Sequence, residues 1–308
     1  MAANRHLNAR HGGYALTLST GSLLCLSVAP FGMINSLYHL TARYPSPDRW
    51  GAHTYNLITG ASFAALAFVG SGTDWGDHQA LVLLRLIAAI IFYWAAYAAT
   101  GPTLHLYYPP EFSYDAPLIR VEQRFFGNPS LWMARDRPKA LHEFMQFFYW
   151  TYFGYIPALG IGLYLQNDLQ QFEAMAMATS LGYVFCYSIY PWFPLWGPRW
   201  ALVDAGLLRD DEKILPGYFF ANFMNRIIWA NAAHKGGAMP SAHSSTCVIF
   251  MIWCVRVWGL EGAIVGGFIG SFMFISTVYG RYHYVIDLLV GTAIGIASVY
   301  LADLIVLG

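Results

Sequence analysis

Charge is scarce in this chain. Of its 308 residues only 11% are Asp, Glu, Lys or Arg, less than half of the roughly 25% found in soluble domains. Neither sign is in excess, since 17 basic residues face 17 acidic ones. That excludes a disordered chain, whose signature is high charge with low hydrophobicity. It also disfavours a nucleic-acid partner, because neutralising phosphates takes a surplus of Lys and Arg. Cysteine is scarce too. Cys25, Cys186, Cys247 and Cys254 all stand in apolar stretches without paired spacing, so neither a disulfide framework nor a zinc site is expected. What the chain has in quantity is apolar: 57% hydrophobic residues, with Phe, Trp and Tyr at 17%. Trp and Tyr suit the membrane–water boundary, where an apolar ring and a polar tip are both satisfied. The balance points to an integral membrane protein.

A helix needs about 20 mostly apolar residues to cross the hydrocarbon layer. Eight stretches meet that rule: 14–38, 54–71, 80–100, 143–165, 172–190, 242–258, 262–281 and 284–307. Backbone amides in lipid must bond within their own segment, so the expected fold is an all-α polytopic bundle of about eight transmembrane helices. The first stretch is longer than a signal-peptide core and has no small-residue cleavage site after it, so it reads as a retained anchor. Two connections are long. Residues 101–142 carry Tyr107, Tyr108, Pro109 and Pro110 with scattered Arg120, Arg124, Arg135 and Arg137, which suggests a piece lying at the interface; a plain solvated loop is the alternative. Residues 191–241 hold Pro191, Pro194 and Pro198 and a charged run, 209–213, that reads as a solvated turn. Counting crossings places both long loops and the joint at Arg281 on one side of the membrane. The termini and residues 72–79 and 166–171 fall on the other.

Polar chemistry concentrates on that first side. Gly236-Gly237-Ala238-Met239-Pro240-Ser241-Ala242-His243-Ser244 directly precedes the sixth span. The glycines permit a tight turn, Pro240 suits a helix start and Ser241 suits an N-cap. First-turn amides backed by the helix dipole favour an anion, phosphate above all, and His243 in the same turn is placed to protonate a leaving oxygen. The second segment is Tyr279-Gly280-Arg281-Tyr282-His283-Tyr284-Val285-Ile286-Asp287. His283 and Asp287 are four apart, on one helical face. A carboxylate there accepts from one imidazole nitrogen and leaves the other as a nucleophile, while Arg281 suits a bidentate clamp on phosphate oxygens. Taken singly, a histidine or aspartate at a membrane boundary is ordinarily an interfacial hydrogen-bonding group. Two such motifs on one face, each at a helix entrance, make a stronger case.

Pro240-Ser241-Ala242-His243 resembles the P-S-G-H motif of the type 2 phosphatidic acid phosphatase superfamily. Ser276 through Asp287 resembles its S-R-x5-H-x3-D motif. The resemblance covers the last two-thirds of the chain. It implies a six-helix catalytic core over 80–308, with interfacial loops 101–142 and 191–241, preceded by two accessory helices in 1–79. The K-x6-R-P motif is only half present: Arg199 supplies an arginine, Trp192 stands in the place of the lysine, and Thr277 replaces the arginine of the third motif. These two losses are similar to the inositol phosphorylceramide synthase branch; sphingomyelin synthases are more distant relatives with the same His, His, Asp set. The resemblance implies that His283 attacks phosphorus, Asp287 orients it, and His243 protonates the leaving group and then deprotonates the acceptor. Arg199, Ser241 and Ala242 would hold the phosphate. Lys235 and Arg281 are candidates to replace the missing cations, with plain interfacial anchoring as the alternative. It implies no metal and no cofactor.

The expected activity is a membrane lipid phosphotransferase, taking a phosphate-linked head group from a phospholipid donor to a lipid or polyol acceptor. A lipid phosphate phosphatase using the same site is the alternative. A proton-relaying transporter is the third reading, weakened by the absence of an internal repeat. Arg85 is expected to snorkel and Arg256 to sit at a helix C-terminus, Met175 and Met177 to pack, and His105, His142 and His234 to border the site. Sidedness is pulled two ways. Superfamily resemblance implies a periplasmic, lumenal or exterior site, whereas the arginine and lysine bias toward that face implies a cytoplasmic one.

Overall fold

The computed structural model describes residues 7–11, 14–18, 32–44, 49–70, 96–97, 100–166, 168–231 and 235–307. The third expected span falls largely outside these, as do most of the first span and Cys25, Arg85 and His234. The described chain begins with an antiparallel hairpin, β1 (Leu7–His11) and β2 (Tyr14–Leu18), pairing Leu7 with Leu18 and His11 with Tyr14. This corrects the start of the first expected span, where residues 14–18 are strand. A Gly-Gly pair between two short runs is the composition of a two-residue hairpin.

Elsewhere the described chain is helical. The helices are α1 (32–41), α2 (Arg49–Gly70), α3 (Asp115–Phe126), α4 (Lys139–Trp150), α5 (Tyr152–Leu165), α6 (Leu169–Ile189), α7 (Pro198–Asp204), α8 (Phe220–Asn231), α9 (Ala242–Tyr279) and α10 (Val285–Ala302), with a final turn to Leu307. Two helical segments among the described residues are long and apolar enough to cross a membrane, Ala242–Tyr279 and Val285–Leu307. Only 28% and 39% of their apolar windows are buried. Leu260, Ile264, Phe268, Leu289 and Ile296 point outward, as lipid-facing side chains do.

The 38-residue α9 reverses on itself. Cys247 Sγ lies 3.7 Å from the Gly270 carbonyl, yet 23 residues of straight helix would separate them by about 35 Å. Gly259 supplies the reversal, with φ 56° and ψ −126°. Gly262, Gly266 and Gly270 on the returning arm lie against Cys254, Met251 and Cys247 of the outgoing arm, the small-residue contact that lets membrane helices approach closely. The arms, 242–258 and 260–279, match the sixth and seventh expected spans. Residues 101–142, expected as an interfacial piece or a loop, contain α3 and the single turn Pro129–Trp132.

Packing divides the bundle into two zones. Far from the polar motifs lies an apolar core of Leu159, Leu163, Met175, Met177, Ile249, Trp253 and Met273; both methionines expected to pack are in it. Nearer the motifs, the core changes to Tyr183, Tyr187 and Tyr190 with Leu104 and Ala242. Helix α10 closes on the outgoing arm of α9 through Gly291 and Gly295, where an added methyl would collide with the Ser241 and Ser245 carbonyls. At the far end Arg256 forms a bidentate pair with Asp303, at 2.8 and 2.6 Å. The N-terminal part touches the bundle through Tyr38, whose hydroxyl donates to the Ser188 carbonyl at 3.0 Å.

Candidate active site

Because α9 returns and α10 departs again, the start of α9 and the start of α10 share one end of the bundle. His243 and His283, 40 residues apart, meet there: Nδ1 of His243 lies 3.1 Å from Nε2 of His283. Asp287 Oδ2 lies 3.5 Å from the other ring nitrogen of His283, and it also accepts the Tyr284 amide at 2.9 Å. Asp287 is fully buried and His283 nearly so. Of the expected catalytic residues, all three are brought together.

Backbone bonds lace the motif segments to one another. Leu195 and Gly236 exchange a bridge, and the Ala238 amide donates to the Leu195 carbonyl at 3.0 Å. The Arg199 amide donates to Arg281 O and the Ser241 amide to Asp287 O, each at 3.2 Å. Ser241 is the N-cap, accepting the Ser244 amide on its hydroxyl at 3.2 Å. Pro240 therefore precedes the cap instead of occupying the first helical position. Ser241 holds the two motifs together, and Ala242 opens the first turn.

The expected cations separate. Arg199 stays at the site: Nη2 donates to the Gly280 carbonyl at 3.1 Å, and the guanidinium carbon sits 4.0 Å from the centre of the Tyr282 ring. Arg281 does not join it. At φ 59° its backbone is left-handed, and its buried guanidinium donates to the carbonyls of Ser130 (3.0 Å) and Glu212. Lys235 lies over the Trp196 and Trp200 rings at 4.3 and 4.9 Å. Thr277, in the place of the superfamily's arginine, turns its hydroxyl back to the Phe274 carbonyl at 2.7 Å. His105 bonds the Lys235 carbonyl at 3.2 Å and His142 the Tyr279 hydroxyl at 2.7 Å, so both brace the loops around the site.

Four residues were given no role by the sequence reading. Asp115 on α3 accepts the Trp196 amide at 2.7 Å, the Gly197 amide at 3.1 Å and the Tyr284 hydroxyl at 2.9 Å. Burial pushes its carboxyl up from the ordinary range, against the pull of those bonds. Glu122, two turns later on the same face, accepts the Val285 amide at the start of α10. Burial raises it to about 7. One short helix thus clamps both the 195–197 and the 284–285 segments. The signal in the sequence is two acids seven apart, a spacing that puts both on one face of a helix. The other two are Tyr149, whose hydroxyl lies 3.0 Å from His243 Nε2, and Tyr282, whose ring stacks on Tyr149 at 3.9 Å.

Facing imidazole nitrogens beside a fixed guanidinium suit a reaction in which one nitrogen bonds phosphorus and the other moves a proton. A bundle with that site at one end, and with two helical segments long and apolar enough to cross a membrane, suits a phosphoryl-transfer enzyme. The family model described as "PAP2 superfamily" matches residues 116–301, more than half of the chain. The chain belongs to that superfamily and is a phosphatase or phosphotransferase. No curated protein and no solved structure matches it.

Proposed function

We propose that this protein is an integral-membrane lipid phosphotransferase working through a phosphohistidine on His283. The observation that carries the reading is the 3.1 Å approach of His243 to His283, with Asp287 behind the second ring. An ionised Asp287, 3.5 Å from Nδ1, would favour the His283 tautomer with hydrogen there and leave the Nε2 lone pair as nucleophile. Substrate breaks the contact between the two rings, so that phosphorus meets His283 Nε2 and the leaving oxygen meets His243 Nδ1. The Nε2 lone pair forms the N–P bond as the bond from phosphorus to the leaving oxygen breaks, and protonated His243 gives that oxygen its proton. An acceptor hydroxyl then loses its proton to His243 and attacks phosphorus, and the N–P bond breaks. Arg199 and the first turn of α9 from Ala242 hold the phosphoryl oxygens, where fixed charge and dipole stabilise the transition state. Lys235 and Arg281 frame the site and do not clamp phosphate.

The finer affinity, with the inositol phosphorylceramide synthase branch, rests on Trp192 and Thr277 in place of the two superfamily cations. Thr277 supplies no charge from its position in the fold. That branch makes the donor a phosphodiester such as phosphatidylinositol and the acceptor a hydroxyl-bearing lipid or polyol. The six-helix core with two accessory helices before it belongs to the same proposal; the Tyr38–Ser188 bond supports a docked N-terminal unit. The second reading, a lipid phosphate phosphatase, shares every step until water takes the acceptor's place.

The test gives purified protein in mixed micelles labelled phosphatidylinositol or labelled phosphatidic acid, with candidate hydroxyl acceptors. Transferred product and free phosphate are measured together. Head-group transfer that is lost in His283→Gln is expected. Free phosphate without transferred product would establish the phosphatase instead.

A further inference from the structure

Tyr149 touches His243 from the side opposite His283. Its hydroxyl lies 3.0 Å from His243 Nε2, and its ring lies flat on Tyr282, 3.9 Å between centroids and 10° between planes. The far partner of Tyr282 is Arg199, 4.0 Å from the ring centre. Gln146, one turn before Tyr149 on α4, accepts the Tyr282 hydroxyl at 3.0 Å. One aromatic column therefore joins the proposed proton carrier to the proposed phosphate-holding arginine.

One assignment sets the hydrogen-bond polarity along this chain: hydrogen on His283 Nδ1, the nitrogen 3.5 Å from the Asp287 carboxylate. With Asp287 accepting, His283 carries hydrogen on Nδ1, so its Nε2 accepts from His243 Nδ1–H. His243 Nε2 is then a lone pair, and Tyr149 is the donor that meets it. When His243 becomes cationic its Nε2–H reverses the bond, and the same hydroxyl accepts. A phenol serves both states; an apolar side chain serves neither.

We propose that Tyr149 is a positioning residue for phosphoryl transfer: its hydroxyl keeps the mobile proton of His243 on the nitrogen that faces phosphorus, and its ring, through Tyr282, sets the place of the Arg199 guanidinium. This rests on the phosphohistidine reading. The groups facing His243 are Tyr149 on α4, Tyr152 on α5 with its ring 4.2 Å away, and His283 with Asp287 behind it; the charge of Arg199 reaches Tyr149. Tyr152 turns its own hydroxyl to Tyr183, at 2.6 Å, which leaves Tyr149 as the hydroxyl on His243.

The two roles separate by substitution. Tyr149→Phe keeps the column and removes the hydroxyl; Tyr149→Leu removes both. Bonds to a charged partner are worth more than neutral ones. Phe at 149 therefore weakens the cationic, proton-donating form most. With radiophosphorus-labelled phosphatidylinositol or phosphatidic acid in micelles, Tyr149→Phe should still form phosphohistidine, with kcat lowered about tenfold and KM unchanged. The alkaline limb of its pH–rate profile should move down by about 0.5–1 pH unit. Tyr149→Leu should raise KM as well, because Arg199 loses its backing. Nitrogen NMR of labelled histidine should find hydrogen on Nδ1 of His243 in the parent and a tautomer mixture in Tyr149→Phe. A Tyr149→Phe protein with the parent's rate, profile and tautomer overturns the proposal even if Tyr149→Leu does not fold. Absence of any acid-labile phosphoenzyme in the parent, or its persistence in His283→Gln, sinks the phosphohistidine reading instead.

Discussion

Glu122 shows how a single side chain ties stability to pH here. One carboxyl oxygen accepts the amide that opens α10, while the other is buried and finds no partner among the described residues. Burial, with the nearby charge of Asp287, raises it from the usual 4.5 to about 7. Between those values the folded protein keeps a proton that the unfolded chain has released, so its contribution to stability is full below about 4.5 and is lost as pH rises through about 7. Thermal melts in detergent should therefore fall from pH 5 to pH 8. Glu122→Gln keeps an acceptor for Val285 without titrating, and its melts should have a shallower slope; equal slopes in the two proteins would refute the assignment. The same residue marks where the sequence ceases to be legible. His243, His283 and Asp287 were readable because their chemistry depends on spacing within short segments and on helix entrances. Glu122, Asp115 and Tyr149 act on groups 80 to 170 positions away, and no local spacing encodes such a pairing. Arg281 is the converse. Its neighbours in sequence suggested a phosphate clamp, but its left-handed backbone turns the guanidinium to Ser130 and Glu212.

At the scale of elements, the distance between the two imidazoles is set by how closely α10 lies on the outgoing arm of α9. Gly291 is the contact point, where a methyl would meet the Ser241 carbonyl and Ser244 Oγ. Overpacking of this kind costs about 1–3 kcal/mol. Displacing one catalytic group by about 1 Å costs on the order of 10²-fold in rate. Gly291→Ala should thus lose much more activity than stability, whereas Gly267→Ala, with nothing within 4 Å of its added methyl, should leave both unchanged. Parallel assays of turnover and melting check this; equal behaviour of the two variants would mean that the helix contact does not set the site. The arms of this contact were legible as apolar runs of about one membrane thickness. The reversal at Gly259 was legible only as a short break between runs, since an apolar stretch does not say whether it continues or turns back. The β1–β2 hairpin was missed because an alternating run of five residues was absorbed into the longer apolar stretch that follows it.

For the whole molecule, the fold puts charge at one end. The elements and connections around the histidines, α3, α4, α8 and the segments that join them, carry Arg120, Arg124, Arg135, Arg137, Lys139, Arg209, Lys213 and Arg226. At the opposite end Arg256 is neutralised by Asp303. Translocation retains segments rich in Lys and Arg on the cytoplasmic side, and acidic residues offset this little. The site-bearing end is therefore expected to face the cytoplasm, against the outward orientation that resemblance to the superfamily implies. Arg209 tests it without touching the site. It is exposed and, among the described residues, its side chain pairs with exposed Asp211 at 2.7 Å, an interaction worth at most about 1 kcal/mol, so Arg209→Cys should fold as the parent does. Glu261, exposed beside the Gly259 reversal, reports on the other end. Cys186, Cys247 and Cys254 are buried and should react little. In intact cells a membrane-impermeant maleimide should label Glu261→Cys at once and Arg209→Cys only after permeabilisation. The opposite pattern would place the histidine pair on the outer face.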